Sequence, residues 1–259
     1  MVDTHCHLHF SEYDQDRETV LQRSRESGID ALILVGCDAE DSGRAMTLAQ
    51  SVPNALFSAG FHPHEASRWD LGKKQKLEEL SRHPKCVAVG EVGLDYYRNL
   101  SPKEDQQKVF IEMLTLAKSR ELPLIIHSRQ AADEMVSLLK EQGPFPASGV
   151  MHCFSGDSKY LRDCLKLGFY ISFAGNLTFA NAQELRERAA EVPMERLLAE
   201  TDSPYLTPVP FRGTRNEPCR ITHTIAKLAE IQKKSPEEMA EATAGNARRL
   251  FKLKSDEKT

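Results

Sequence analysis

Two histidines stand one residue apart near the start of the chain, in Val2-Asp-Thr-His-Cys-His-Leu-His9, after residues that can begin a strand. Side chains alternate faces along a strand, so His5 and His7 point one way and Cys6 the other. Two imidazoles on one face are half of a metal site. Similar groups recur: His62 and His64 in Gly60-Phe-His-Pro-His64, Glu91 in Val89-Gly-Glu-Val-Gly-Leu-Asp95, His127 in Ile125-Ile-His-Ser-Arg129, His152 in Val150-Met-His-Cys-Phe154, and Asp202 in Leu198-Ala-Glu-Thr-Asp-Ser-Pro204. Singly, each is commonplace, and an Asp before Ser-Pro more often caps a turn. Yet of nine histidines only His83 and His223 fall clearly on the helical side of the pattern. Imidazole and carboxylate donors without thiolates suit Zn²⁺, Mn²⁺, Co²⁺, Ni²⁺ or Fe²⁺, with Mg²⁺ at a carboxylate-rich half. Four histidines and two acids are too many for one tetrahedral ion. They suit two ions about 3.5–4 Å apart, bridged by a carboxylate. Glu91 is the expected bridge, with His5, His7 and Asp202 on one ion and His127 and His152 on the other.

The elements that must position these residues are legible as a repeat. Short apolar runs rich in Val, Ile and Leu predict strands near Val2–His5, Ala31–Gly36, Leu56–Gly60, Val87–Gly90, Leu122–His127, Gly149–Cys153, Phe169–Phe173 and Leu197–Glu200. Continuous rather than alternating hydrophobicity suits parallel strands buried on both faces. Helical patterns follow the strands, near Asp16–Ser27, Ser42–Gln50, Gly72–Ser81, Ser101–Arg120, Ala131–Lys140, Asp157–Leu167 and Asn181–Ala190. Ser101-Pro-Lys-Glu104 reads as an N-cap, a first-turn proline and a capping-box Glu, and Ser235-Pro-Glu-Glu238 opens a second such helix, near Pro236–Ala244, after one at Ile221–Gln232. Strand and helix alternating eight times predict a single (β/α)₈ TIM barrel with extra C-terminal helices over residues 1–253, and a frayed charged tail over 254–259. The rival doubly wound sheet fits the even spacing less well. In a barrel, catalytic groups lie at the C-terminal strand ends, which is where the histidines and acids fall.

Composition narrows the class. The chain has 259 residues, 40% hydrophobic and 28% charged, an ordinary balance for one globular domain. It contains no apolar run long enough for a membrane span and no signal-peptide pattern at its start. Six cysteines stand singly, which predicts free thiols in a reducing compartment, and we expect a cytoplasmic monomer. The net charge of −4 excludes a broad basic nucleic-acid surface, so any phosphate must be met locally, by ions and a few arginines.

Taken together, His5-Cys-His7, Gly60-Phe-His-Pro-His64, Gly90-Glu-Val-Gly-Leu-Asp-Tyr-Tyr97, His127-Ser-Arg129, His152-Cys-Phe-Ser155, Glu200-Thr-Asp-Ser-Pro-Tyr205 and Arg212-Gly-Thr-Arg-Asn-Glu-Pro218 resemble the TatD family of metal-dependent deoxyribonucleases, within the amidohydrolase-like hydrolases. The resemblance runs to Asn246-Ala-Arg-Arg-Leu-Phe251. It implies a divalent-metal centre and hydrolysis of DNA phosphodiesters, in some members as a 3′→5′ exonuclease preferring single strands, and it leaves DNA against RNA open. On that reading Asp202 is the general base that takes a proton from the attacking water. Arg212, Arg215 and Asn216, on the long loop after strand eight, are expected phosphate contacts, as are Arg129 and His62. Tyr96, Tyr97, Phe154 and Tyr205 are candidates to stack on bases. Two rivals remain: a hydrolase of a small ester, amide or phosphoester on the same barrel, and a non-catalytic binding protein. Many relatives in the wider group bridge their metals with a carboxylated lysine. Glu91 in that place favours the nuclease-like branch.

Overall fold

In a computed structural model of the protein, which describes residues 1–253, all eight expected strands are present in one parallel sheet in the order β1 to β8. They are β1 Val2–Cys6, β2 Ala31–Val35, β3 Ala55–Ala59, β4 Cys86–Asp95, β5 Leu124–Arg129, β6 Gly149–Met151, β7 Tyr170–Phe173 and β8 Leu197–Ala199. Helices α1 Arg17–Glu26, α2 Ala39–Ser51, α3 Leu71–Leu80, α4 Lys103–Arg120, α5 Ala132–Gln142, α6 Ser158–Lys166 and α7 Gln183–Glu191 each follow a strand, and α8 Ile221–Gln232 and α9 Pro236–Phe251 complete the ring. The fold is a TIM barrel. The 254–259 tail lies outside the described residues.

The barrel closes between β1 and the segment after β8. The Thr4 hydroxyl donates to the Ala199 carbonyl at 3.1 Å, the Asp202 amide to the His5 carbonyl at 2.9 Å, and the His7 amide to the Ser203 carbonyl at 2.8 Å. These bonds join the two ends of the chain's repeat and place Asp202 beside the first two histidines. The strands are buried along nearly their whole length, as the unbroken apolar runs required. Below them a second apolar cluster, including Val2, Ile33, Val35 and Val87, is plugged by Leu250 and Phe251 from the end of α9.

Two local expectations change. Ser101 does not cap α4. Its hydroxyl donates to the His64 carbonyl at 2.8 Å and accepts from the Ser67 amide at 3.0 Å, so the turn at Pro63–Arg68 captures it and α4 starts one residue later than expected, at Lys103, with Pro102 as an uncapped N-cap. Helix α9 runs through Gly245 to Phe251, past the expected end at Ala244. A mid-helix glycine costs about 1 kcal/mol, but burial of Ala247, Leu250 and Phe251 under the barrel offsets it. The Ser235 capping box forms as expected. All six cysteines are free. Among the described residues, no helix is long and apolar enough to cross a membrane.

Candidate metal centre

Glu91 is placed by an irregularity. The β4–β5 register shifts between Val89 and Val92, so the strand does not end before Glu91 but bends there and continues to Asp95. Such a bulge re-aims one side chain. It requires close backbone approach: a Cβ on Gly60 would lie 2.1 Å from the Gly90 carbonyl carbon, and one on Gly93, at φ +142°, would lie 1.9 Å from the His127 oxygen. Glycine is thus obligatory on both sides of Glu91.

The carboxylate so placed has histidines around both oxygens. Oε2 lies 3.3 Å from His5 Nε2. Oε1 lies 2.9 Å from His127 Nδ1, 3.2 Å from His152 Nε2 and 3.3 Å from His62 Nε2. His5 and His7 share a face of β1, and their Nε2 atoms converge to 3.2 Å, with Asp202 Oδ1 at 3.8 and 3.7 Å. Cys6 points the other way, its thiol donating to the Ile33 carbonyl. Asp202 itself does not end β8. It lies in the following loop with φ +53°, a left-handed conformation that turns its side chain back over the histidines.

Partners behind these side chains fix their orientation. His7 donates Nδ1–H to the Val35 carbonyl at 2.8 Å, which leaves the Nε2 lone pair facing the centre. His152 donates Nδ1–H to Glu200 at 2.9 Å, and the same Glu200 oxygen accepts the Cys153 amide at 2.8 Å. His127 donates Nε2–H to Asp95 at 3.0 Å, and His64 meets the same oxygen at 2.9 Å. Carboxylates placed behind histidines in this way set tautomer and basicity at metal sites. Glu200 and Asp95 carry little signal in the sequence. Their only signal was an acid two residues before Asp202 and another four after Glu91. Buried Asp3 accepts the Thr201 amide at 2.9 Å and the Thr201 hydroxyl at 2.6 Å, tying β1 to the Asp202 loop.

The electrostatics agree with a cation. Burial, helped by the neighbouring His152, pushes His5 down to about 3, and burial pushes His62 down to about 4. Burial opposes ionisation of Glu91 as well, but the surrounding imidazoles outweigh it and hold the carboxyl well below its usual range. The His5 and His7 Nε2 atoms lie 3.2 Å apart. Their spacing matches two donors each about 2.1 Å from one ion. Groups of three donors within reach of one ion comprise His5–His7–Asp202, His62–Glu91–His127, His5–His152–Glu200 and His7–Cys37–Glu91. The donor set therefore fits divalent metal. His62, expected at the substrate, stands as close to Glu91 as the expected ligands do.

The centre floors a pocket of about 450 Å³ whose rim carries Phe10, Arg98, Leu100, Arg129 and Tyr205. The Arg129 guanidinium lies 4.0 Å over the Tyr97 ring. Three expected phosphate contacts do not line this pocket. Arg215 is held by both oxygens of Asp16 at 2.9 and 2.6 Å and packs over Tyr13. Asn216 is buried, its amide donating to the Thr201 and Tyr205 carbonyls at 3.0 and 2.7 Å. Both anchor the loop that carries Asp202, because a long proline-rich loop needs its backbone carbonyls satisfied from within. Arg212 is exposed and stacks 3.6 Å over Phe179. Phe154 is buried against Tyr160 and Phe173, in the core and not at the pocket, and Tyr96 is hydrogen-bonded to Gln107 on α4.

Comparison with known proteins gives one consistent answer. A family model described as TatD related DNase matches residues 2–252. The chain is 42% identical to "Uncharacterized metal-dependent hydrolase YabD" of Bacillus subtilis, covering 98% of this chain and 99% of that one. It is 38% identical to "3'-5' ssDNA/RNA exonuclease TatD" of Erwinia tasmaniensis, covering 98% and 100%. Among solved structures, YJJV, a TatD homologue from Escherichia coli, superposes with a TM-score of 0.93 at 33% identity, covering 98% of each chain.

Proposed function

The chain belongs to the TatD family of metal-dependent hydrolases acting on ester bonds, and we propose that it hydrolyses phosphodiester bonds of single-stranded DNA, and of RNA, from the 3′ end. The observation that carries this reading is Glu91, whose two carboxylate oxygens face different histidine groups across a buried floor. A carboxylate so placed can bridge two cations, and paired ions suit displacement at phosphorus. His5, His7, Glu91 and Asp202 would hold one ion, and Glu91, His127 and His152 the other, with His62 as a further donor or a contact to substrate. Bound there, the ions supply Lewis acidity and lower the pKa of water.

The remaining chemistry falls to the chain's own residues. Asp202, partly buried beside His5 and His7 and lining the pocket, takes the proton of the attacking water. Glu91, Asp95 and Glu200 aim the imidazoles through the hydrogen bonds they accept. Arg129, lying on Tyr97 with no acid partner among the described residues, meets a phosphate oxygen at the rim. The polar, cation-seeking floor and cationic rim suit a phosphodiester better than a neutral ester or amide.

The test is a digestion time course. Metal-stripped protein receives 5′-labelled single- and double-stranded DNA and RNA, with Mg²⁺, Mn²⁺, Co²⁺ or Zn²⁺ restored. A ladder shortening from the 3′ end of single strands, absent in Glu91→Gln, is the expected result. Cleavage of small phosphoesters, esters or amides with intact oligonucleotides would overturn it.

A further inference from the structure

The cavity that holds the metal centre is not the largest on this face of the barrel. A groove of about 770 Å³ lies between the loop after β6 and the segment from the end of β7 into α7, lined by Ser155, Asp157, Asn176, Phe179, Asn181 and Glu184 among others. It adjoins the centre: the Asn176 amide donates to the thiol sulfur of Cys153, the residue after His152. The 450 Å³ metal pocket has the size of a site for one small ligand. A strand cut there must continue somewhere, and this groove is the adjoining space.

Its chemistry fits unpaired nucleotides. Amides at Asn176 and Asn181, with carboxylates at Asp157 and Glu184, offer donors and acceptors for base edges and not a continuous phosphate track. Asp157 already accepts the Tyr160 amide, and Arg188 is paired with Glu187 and Glu191, so neither gives a free charge. Beside the lining residue Phe179, and stacked 3.6 Å over its ring, is Arg212, a cation without an acid partner among the described residues. An exposed guanidinium on an aromatic ring presents a flat face to a base and N–H groups to a phosphate. Resting on the proposed nuclease activity, we infer that this groove seats the nucleotides of the same single strand next to the one in the metal pocket, with Arg212 and Phe179 as the contacts that hold them.

Arg212 and Phe179 lie outside the metal cluster, so their loss leaves the centre intact. The arrangement also excludes duplex ends, because the base edges that the groove reads are occupied in a pair.

The experiment measures binding and turnover against chain length. Metal-loaded protein is titrated with fluorescent, phosphorothioate-linked oligothymidylates of increasing length, which resist cleavage. Affinity in the wild type should rise from a mononucleotide to a tetranucleotide. Arg212→Ala and Phe179→Ala should each weaken tetranucleotide binding about tenfold and leave the mononucleotide unchanged. Arg212→Ala should also flatten the salt dependence by about the slope of one phosphate contact. Hydrolysis of a chromogenic phosphodiester should be equal in wild type and Phe179→Ala. Length-independent wild-type binding, or variants that keep the full length dependence, would overturn the inference even with the nuclease activity intact. Failure to cleave any phosphodiester while length-dependent binding persists would instead count against the proposed activity.

Discussion

Replacing Glu200 by Gln isolates the support behind His152 from the metal ligands themselves. A single oxygen of Glu200 accepts both the His152 Nδ1–H and the Cys153 amide. A glutamine carbonyl can keep both bonds, and only the charge is lost. Hydrogen bonds to charged groups contribute about 1.5–3 kcal/mol against about 0.5–1.5 for neutral ones, so the change forfeits about 1 kcal/mol per bond. Two bonds make about 2 kcal/mol, or roughly thirtyfold. That agrees with the tenfold to hundredfold typical for a carboxylate behind a metal-binding histidine. The new amide nitrogen also lands where the second Glu200 oxygen is buried without a partner, which adds cost and no compensation. Metal affinity would be measured by competition with a chromogenic chelator, and turnover at saturating metal. We expect affinity to fall about thirtyfold and turnover to recover in part as metal is raised. Glu200→Ala, which removes both bonds, should fall further. Wild-type metal affinity in Glu200→Gln would refute the argument, as would equal losses for Gln and Ala.

Asp202→Asn should fold normally, keep most bound metal and lose turnover by orders of magnitude; circular dichroism, metal analysis and a rate assay separate these, and near-normal turnover would remove Asp202 from the base role. Chelation should abolish activity reversibly and lower the melting temperature, since an ion that binds only the folded chain stabilises it by mass action; a Tm unchanged by metal readdition would mean that the histidine cluster needs no cation. Arg215→Ala should leave the rate constant intact but destabilise by at most about 1 kcal/mol at pH 7, the ceiling for a partly exposed pair. The Arg215 hydrogen bond holds the Asp16 carboxyl below its usual range. That stability is therefore present above an unfolded carboxyl pKa of about 3.9 and is lost as pH falls through the folded value. Denaturation midpoints of wild type and variant should draw together only as pH falls below the folded Asp16 value, and a gap unchanged under that value would exclude the ion pair as its source.

The barrel was legible because its signal is one-dimensional. Eight apolar runs such as Ala31–Val35 must be buried on both faces whatever surrounds them, and Gly28 and Gly168 close the helices before two of them with positive φ. The residue types at the strand ends were equally plain in His5, His7, Glu91, His127, His152 and Asp202. Spacing along one strand also determined that His5 and His7 share a face. What sequence could not give was distance between elements. Asp95 and Glu200 looked like any strand-end acid until folding set them behind His127 and His152. Arg215 and Asn216 looked like phosphate contacts because they follow Asp202 on the same loop, yet the loop folds back and spends them on Asp16 and on backbone carbonyls. Ser101 carried a capping signature that the neighbouring Pro63–Arg68 turn overrode. Local pattern thus determined which residues carry chemistry and which elements hold them, because burial and periodicity act over a few residues. The bend at Glu91, the bonds that aim each imidazole and the fate of each arginine depend on atoms many tens of residues apart, and only the closed barrel decided them.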